Sequence, residues 1–300
     1  MNKKISLIND MTNYNRMSYL DSVSIISVFG DRAYIDAKQD EKYNAFISGY
    51  IKDSAKMMEY REVISDAKLD DRNVLYLCDP VMGDNGKRYD DITDEHIENY
   101  KKLIEISDIV VPNFTEAMIL ADMPYDENYQ KYNIIKYEND TKEKVDNLSK
   151  KIIETMLPVF DKIRYKKNQI TIITGIELYN AVLTMLDVYD GDHGQRQTTC
   201  NYSERIEGRS GVGNIFNTMF FETSTNGFSL VEALSASTSF INNSLRFCRD
   251  KKFDKNDGVF FEPILLDNIV VMRQELARRI NEKNKNKQVA VNNGNNNKGV

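Results

Sequence analysis

Short apolar runs and longer stretches of helical spacing take turns along most of this chain. KISLIND opens on a strand, and residues 16–29 carry apolar positions at helical intervals up to Gly30. YNAFISG (43–49) and NVLYLCD (73–79) are continuous apolar runs of strand length, and the charged segment 54–68 between them suits a crossover helix. DIVVPN (108–113) follows a helical stretch at 93–106, and QITIITG (169–175) follows another at 140–157. AVLTMLDVY (181–189) reads as the next strand, and helical patterns then occupy 213–222, 229–249 and 264–283. This alternation predicts an α/β fold with an open, mostly parallel sheet flanked by helices.

In such sheets ligands gather beyond the carboxyl ends of the strands, so the polar groups that follow each run carry the functional information. In LYLCDPVMGDNGKRYD (75–90) a strand ends at Asp79-Pro80, and a turn then carries Asp84, Asn85, Gly86, Lys87 and Tyr89. Two carboxylates at such an edge can hold a hard cation, directly or through water. A polar turn with an Asp-Pro start accounts for the same residues. In VVPNFTEAMIL (110–120), Asn113 and Glu116 have the spacing of a helix-capping box. The functional alternative sets Asn113 near nucleotide phosphates and Glu116 near a water-bound Mg²⁺. TGIE (174–177) ends another strand with a hydroxyl and a glycine, a weak signal alone. In GRSGVGNIF (208–216), Gly211 and Gly213 leave backbone N–H groups at a helix start, where aligned dipoles favour an anion. Helix starts also contain glycine for purely local reasons.

Composition narrows the classes. A chain of 300 residues with 41% hydrophobic and 29% charged positions has the make-up of a globular protein with a sizeable core. A net charge of −6 argues against a general nucleic-acid binder. Cys78, Cys200 and Cys248 are odd in number and far apart, which suits a reducing compartment and no zinc site. His96 and His193 are the only histidines, so a histidine-based triad or metal centre is not expected. No apolar run approaches the roughly 18 residues of a membrane span, and the apolar part of MNKKISLIND is too short for a signal peptide. The expectation is a cytoplasmic protein with one domain over 1–283 and a disordered Asn/Lys-rich tail over 284–300.

Taken together, IND with Thr12 (8–12), SGY (48–50), CDPVMGDNGKRY (78–89), VPNFTEA (111–117), ITG (173–175), SGVGNIF (210–216) and DGVFFE (257–262) resemble the pyridoxal kinases of the ribokinase-like superfamily. The resemblance implies a three-layer α/β/α fold and ATP-dependent phosphorylation of the 5′-hydroxyl of pyridoxal, pyridoxine or pyridoxamine. It places Asp79, Asp84 and Glu116 in the Mg²⁺/ATP region and Asn113 near the phosphates. Thr174, Gly175 and Val212 would lie by the nucleotide, and Gly211 and Gly213 would form the anion hole. Thr12 would face the pyridine ring, and Tyr89 would border the pocket. A homodimer is implied in the same way, and a monovalent cation is a further candidate. No membrane or nucleic-acid partner is implied.

Three departures from the family pattern stand out. Its glycine loop reads Gly-Thr-Gly-Asp, with the Asp as general base, whereas this chain reads Gly211-Val212-Gly213-Asn214. A carboxamide can orient a hydroxyl but cannot take up its proton at neutral pH. Only residues 31–42 separate the first helix from the strand at 43–49, where the family has a long stretch that covers the substrate. The segment NYNRMS after Thr12 lacks the glycine often found there. Two alternatives therefore stand beside an active pyridoxal kinase: a non-catalytic relative that binds nucleotide or vitamer, and a hydroxymethylpyrimidine-type kinase.

Overall fold

The computed structural model describes the backbone of residues 2–10, 18–124, 142–178 and 181–296, and the side chains of these except 18, 142–149 and 280–296. One eight-stranded sheet runs through the molecule in the order β10-β9-β8-β7-β4-β3-β1-β2. Its strands are β1 (Lys4–Ile8), β2 (Arg32–Ile35), β3 (Ala45–Ser48), β4 (Leu75–Cys78), β7 (Ile109–Val110), β8 (Ile170–Glu177), β9 (Ala181–Asp190) and β10 (Gln195–Glu204). From β2 across to β8 every neighbouring pair is parallel, whereas β9 and β10 fold back antiparallel. A two-stranded hairpin, β5 (Gly83–Asp84) with β6 (Lys87–Arg88), stands apart from the sheet.

The continuous apolar runs follow from burial on both faces of a parallel sheet. Alternate residues of each strand then serve different layers. Phe46, Tyr76, Cys78, Val110 and Ile173 join the core on one face. That face is covered by α2 (Ser54–Asp70), α3 (Asp94–Ile106), α4 (Phe114–Leu120) and α5 (Lys142–Ile163), through residues such as Met57, Tyr100, Ala117 and Phe160. Ala45, Ile47, Leu77, Ile109 and Ile172 point to the other face. There they meet Ile26 of α1 (Ser18–Phe29), Phe216 and Phe220 of α6 (Val212–Thr225) and Leu234 of α7 (Leu230–Lys251). A third cluster ties α1, α6 and α7 to α8 (Glu262–Asn296) through Ile25, Met219, Phe240 and Leu265. Each fully buried Phe contributes on the order of 1.5–3 kcal/mol relative to exposure. The result is a three-layer α/β/α sandwich with a mostly parallel central sheet.

The predicted strands and helices appear with ends shifted by a few residues. The link 31–42 supplies the edge strand β2, which pairs in parallel with β1, rather than a cover. The last helix continues to Asn296, into the stretch for which composition predicts disorder. Three helices are closed at their starts by capping boxes: Thr93 with His96, Asn113 with Glu116, and Ser229 with Glu232. Cys78 is a buried small hydrophobe, its thiol pushed up to about 12 by burial. His193 is exposed in the turn between β9 and β10, beside Asp190.

Candidate active site

Sheet order places the carboxyl ends of β1, β3, β4, β7 and β8 along one rim, and the first turn of α6 faces them. At the end of β4, the Asp79 amide donates to the Ser48 carbonyl at 2.9 Å, continuing the ladder and fixing the backbone. The Asp79 side chain, 7% exposed, accepts a hydrogen bond at Oδ2 from Asn217 Nδ2 at 2.7 Å. A Cβ on Gly213 would lie 3.8 Å from the same oxygen, so the carboxylate faces the glycine loop. Burial pushes the Asp79 carboxyl up to about 7, and the bond from Asn217 opposes that rise.

The motif after β7 and the turn after β4 form one structure. Asn113 caps α4: its Oδ1 accepts from the Glu116 amide at 3.0 Å, and Glu116 Oε2 accepts from the Asn113 amide at 2.7 Å. Glu116 Oε1 also accepts from the Met82 amide at 3.0 Å. Asn113 Nδ2 donates to the Gly83 carbonyl at 2.7 Å, and Thr115 Oγ1 accepts from the Gly86 amide at 2.9 Å. The DPVMGDNG turn is thereby pinned to the first turn of α4. Capping and placement on the rim are two properties of the same box. Asn113 also bridges Thr174, whose amide donates to the Pro112 carbonyl at 3.0 Å. A Cβ on Gly175 would approach the Asn113 Cβ at 4.0 Å, so 174–175 lie against the motif.

Glu116 is 2% exposed; burial, then the charge of Asp79, raises its carboxyl well above the usual range. Among the described residues neither carboxylate has a Lys, Arg or His partner. Two buried acids without a counter-charge, one raised by the charge of the other, are a donor set that suits a divalent cation. Asp84, whose charge is among those that raise Glu116, lies in the turn after β4. Its exposed carboxylate accepts from the Asn85 amide at 2.8 Å and the Asn85 side chain at 3.0 Å. Asn85 is at φ 51°, and that tight turn uses Asp84 for itself. Among the described residues no three His, Cys, Asp or Glu are grouped to hold a metal ion. Of the three carboxylates, Asp79 and Glu116 are buried, and Asp84 lies in the turn beside them.

The glycine loop opens α6 with Gly211 at φ 92° and no side-chain cap. The backbone angle favours glycine, and a Cβ at Gly211 would sit 2.8 Å from Asp21 Oδ2, so that side chain would have to shift. The first N–H groups of a helix lack intrahelical partners, and here they point at the rim with the positive end of the helix dipole. The Val212 side chain packs on the cluster shared with α8, leaving its backbone to the loop. Asn214 Oδ1 accepts from Asn9 Nδ2 at 3.3 Å. A Cβ on Gly49 would lie 3.2 Å from Asn9 Nδ2 and 3.4 Å from Asn214 Oδ1, so the glycine leaves room for this approach.

Tyr89 is exposed just beyond β6, where its amide donates to the Met82 carbonyl at 3.0 Å. Thr12 lies outside the described residues. Asn9 and Asn217 belong to the rim although the sequence patterns did not single them out. Asn217 had a readable signal: it is a polar residue in the apolar run NIFNTMFF, one helical turn beyond Gly213.

No family model matches the chain. Sheep (Ovis aries) pyridoxal kinase is 30% identical over 83 residues, 27% of this chain and 27% of the sheep enzyme. Pyridoxal kinase of Arabidopsis thaliana is 34% identical over 82 residues, 27% of this chain and 26% of the plant enzyme. The chain therefore spans only about a quarter of the length of these relatives in alignment. In structure, pyridoxal kinase of Leishmania donovani, solved with ADP and pyridoxamine, superposes with a TM-score of 0.67 at 13% identity, covering 89% of this chain and 96% of that one. The chain has the ribokinase-like fold of the pyridoxal kinases, and over the aligned segment it is related to them in sequence.

Proposed function

We propose that the chain binds Mg²⁺-ATP on this rim and transfers the γ-phosphoryl group to the 5′-hydroxyl of a vitamin B6 vitamer. One observation carries the reading. Asp79, the Asn113–Glu116 box and the uncapped glycine start of α6 come from distant parts of the sequence and meet at one sheet edge. Phosphoryl transfer depends mainly on positioning and charge stabilisation, and the rim supplies donors for phosphate and acids for a cation. A bound Mg²⁺ would neutralise phosphate charge, and Asp79 and Glu116 are the residues that would hold it, directly or through water. The hydroxyl oxygen bonds to the γ-phosphorus, the bond to ADP breaks with ADP leaving, and the hydroxyl proton passes to water, since Asn214 cannot accept it. In this reading Asn214 would orient that hydroxyl.

Asn214 favours a second reading, in which the chain binds nucleotide or vitamer without turnover, because a carboxamide takes up no proton at neutral pH. Conversion of ATP and pyridoxal to ADP and pyridoxal 5′-phosphate, above a Glu116→Gln control, decides for the kinase. ATP binding without product decides for the non-catalytic relative. Turnover with hydroxymethylpyrimidine alone would move the substrate to that ring. A cytoplasmic homodimer is part of the proposal. No described helix is long and apolar enough to cross a membrane.

A further inference from the structure

Asn217 is 2% exposed and lies among Ile215, Phe216, Met219, Phe220 and Phe221, all buried. Its Nδ2 donates to Asp79 Oδ2 at 2.7 Å, while its Oδ1 is buried without a hydrogen-bond partner. An apolar residue there would fill the same space without stranding an acceptor, so packing does not explain the asparagine. Its single directed contact is with Asp79, for which it is the only hydrogen-bonding side chain among the described residues. Gly213 and Asn217 are one helical turn apart, so α6 presents the anion loop and the Asn217 amide to the carboxylate from one face.

We propose that Asn217 is a positioning residue that fixes the Asp79 carboxylate toward the glycine loop, in the orientation in which Asp79 holds a divalent cation with its nucleotide. The inference rests on reading the rim as a Mg²⁺-nucleotide site. Carboxylates that hold metals are commonly oriented by such outer hydrogen bonds, and their removal weakens metal binding by about 10–100-fold. The only hydrogen bond the Asn217 side chain makes among the described residues is to Asp79, so its effect passes through that carboxylate.

The test compares the full-length chain with Asn217→Leu, which keeps the branched shape and number of heavy atoms and removes both the donor and the stranded oxygen. Asn217→Ser, smaller and polar, is carried alongside in case leucine does not fold. Binding of the non-hydrolysable analogue AMP-PNP is measured by calorimetry, first in EDTA and then across a Mg²⁺ titration, with melting temperatures as the fold control. The expected result is unchanged metal-free affinity and a requirement for about 10–100-fold more Mg²⁺ in the folded variants. In a double-mutant cycle, Asp79→Asn combined with either variant should add little to the loss from Asp79→Asn alone. Wild-type Mg²⁺ dependence in a folded variant would overturn the inference and leave the proposed function standing. Equal loss with and without Mg²⁺ would also overturn it, since that marks a general defect in the site. Failure of the wild-type chain to bind AMP-PNP with Mg²⁺ would overturn both.

Discussion

Asn9 Nδ2 lies 3.3 Å from Asn214 Oδ1, joining the end of β1 to the first turn of α6 across the gap left by Gly49. An aspartate at 214 would keep this hydrogen bond and gain a charge. If the missing proton acceptor limits turnover, Asn214→Asp raises the rate of pyridoxal 5′-phosphate formation by about 10²–10⁴-fold. The rate at saturating ATP and pyridoxal checks this. An unchanged rate would move the bottleneck away from proton removal, to Val212 or the short link at 31–42.

Glu116→Gln should weaken both fold and site. The carboxylate satisfies two buried amides, of Met82 and Asn113, at 3.0 and 2.7 Å. A glutamine offers one acceptor oxygen and must turn its NH₂ toward an N–H donor. One lost buried hydrogen bond costs about 1–3 kcal/mol, and the melting temperature should fall accordingly. Weaker nucleotide binding should accompany it, because the same bonds hold the turn after β4. A variant that melts with the wild type would show that the two bonds contribute little.

Gly211→Ala should abolish phosphate binding at the loop. Its φ of 92° disfavours any L side chain by roughly 1–2 kcal/mol, and the new methyl group would meet Asp21 Oδ2 at 2.8 Å. The expected outcome is a folded, less stable protein whose affinity for ATP drops at least tenfold, read by equilibrium binding. Full affinity in the variant would place the phosphates elsewhere.

Glu222 is fully buried beside Lys3 Nζ at 3.2 Å and Asp31. Burial pushes its carboxyl up to about 8, against the pull of Lys3. The native state therefore holds a proton that the unfolded chain releases from about pH 4.5 upward, so this group's contribution to stability is lost as pH rises toward 8. Glu222→Gln should flatten the fall in melting temperature between pH 7 and 8, the upper part of that window. Asp79, raised to about 7, leaves a shared slope below that range. Parallel curves for variant and wild type would remove Glu222 as the cause.

The parallel half of the sheet was legible because burial on both faces writes an unbroken apolar run. The capping box was legible too, because its spacing is local. β10 was not: QRQTTCNYSE is an outer strand with one antiparallel neighbour, half open to solvent, and it carries few apolar residues. β2 is four residues long and its burial is partial, so RAYI offers no pattern. The pairing of Asn9 with Asn214, and of Asp79 with Asn217, depends on sheet order and the seat of α6. Neither is encoded in any short window of sequence.

The rim draws on residues from Asn9 to Asn217, and α6 comes later in the sequence than Asp79 and Glu116. A nascent chain released or cleaved before α6 has docked carries the acids but no anion loop. If the rim binds nucleotide as proposed, competence to grip it reports completed assembly.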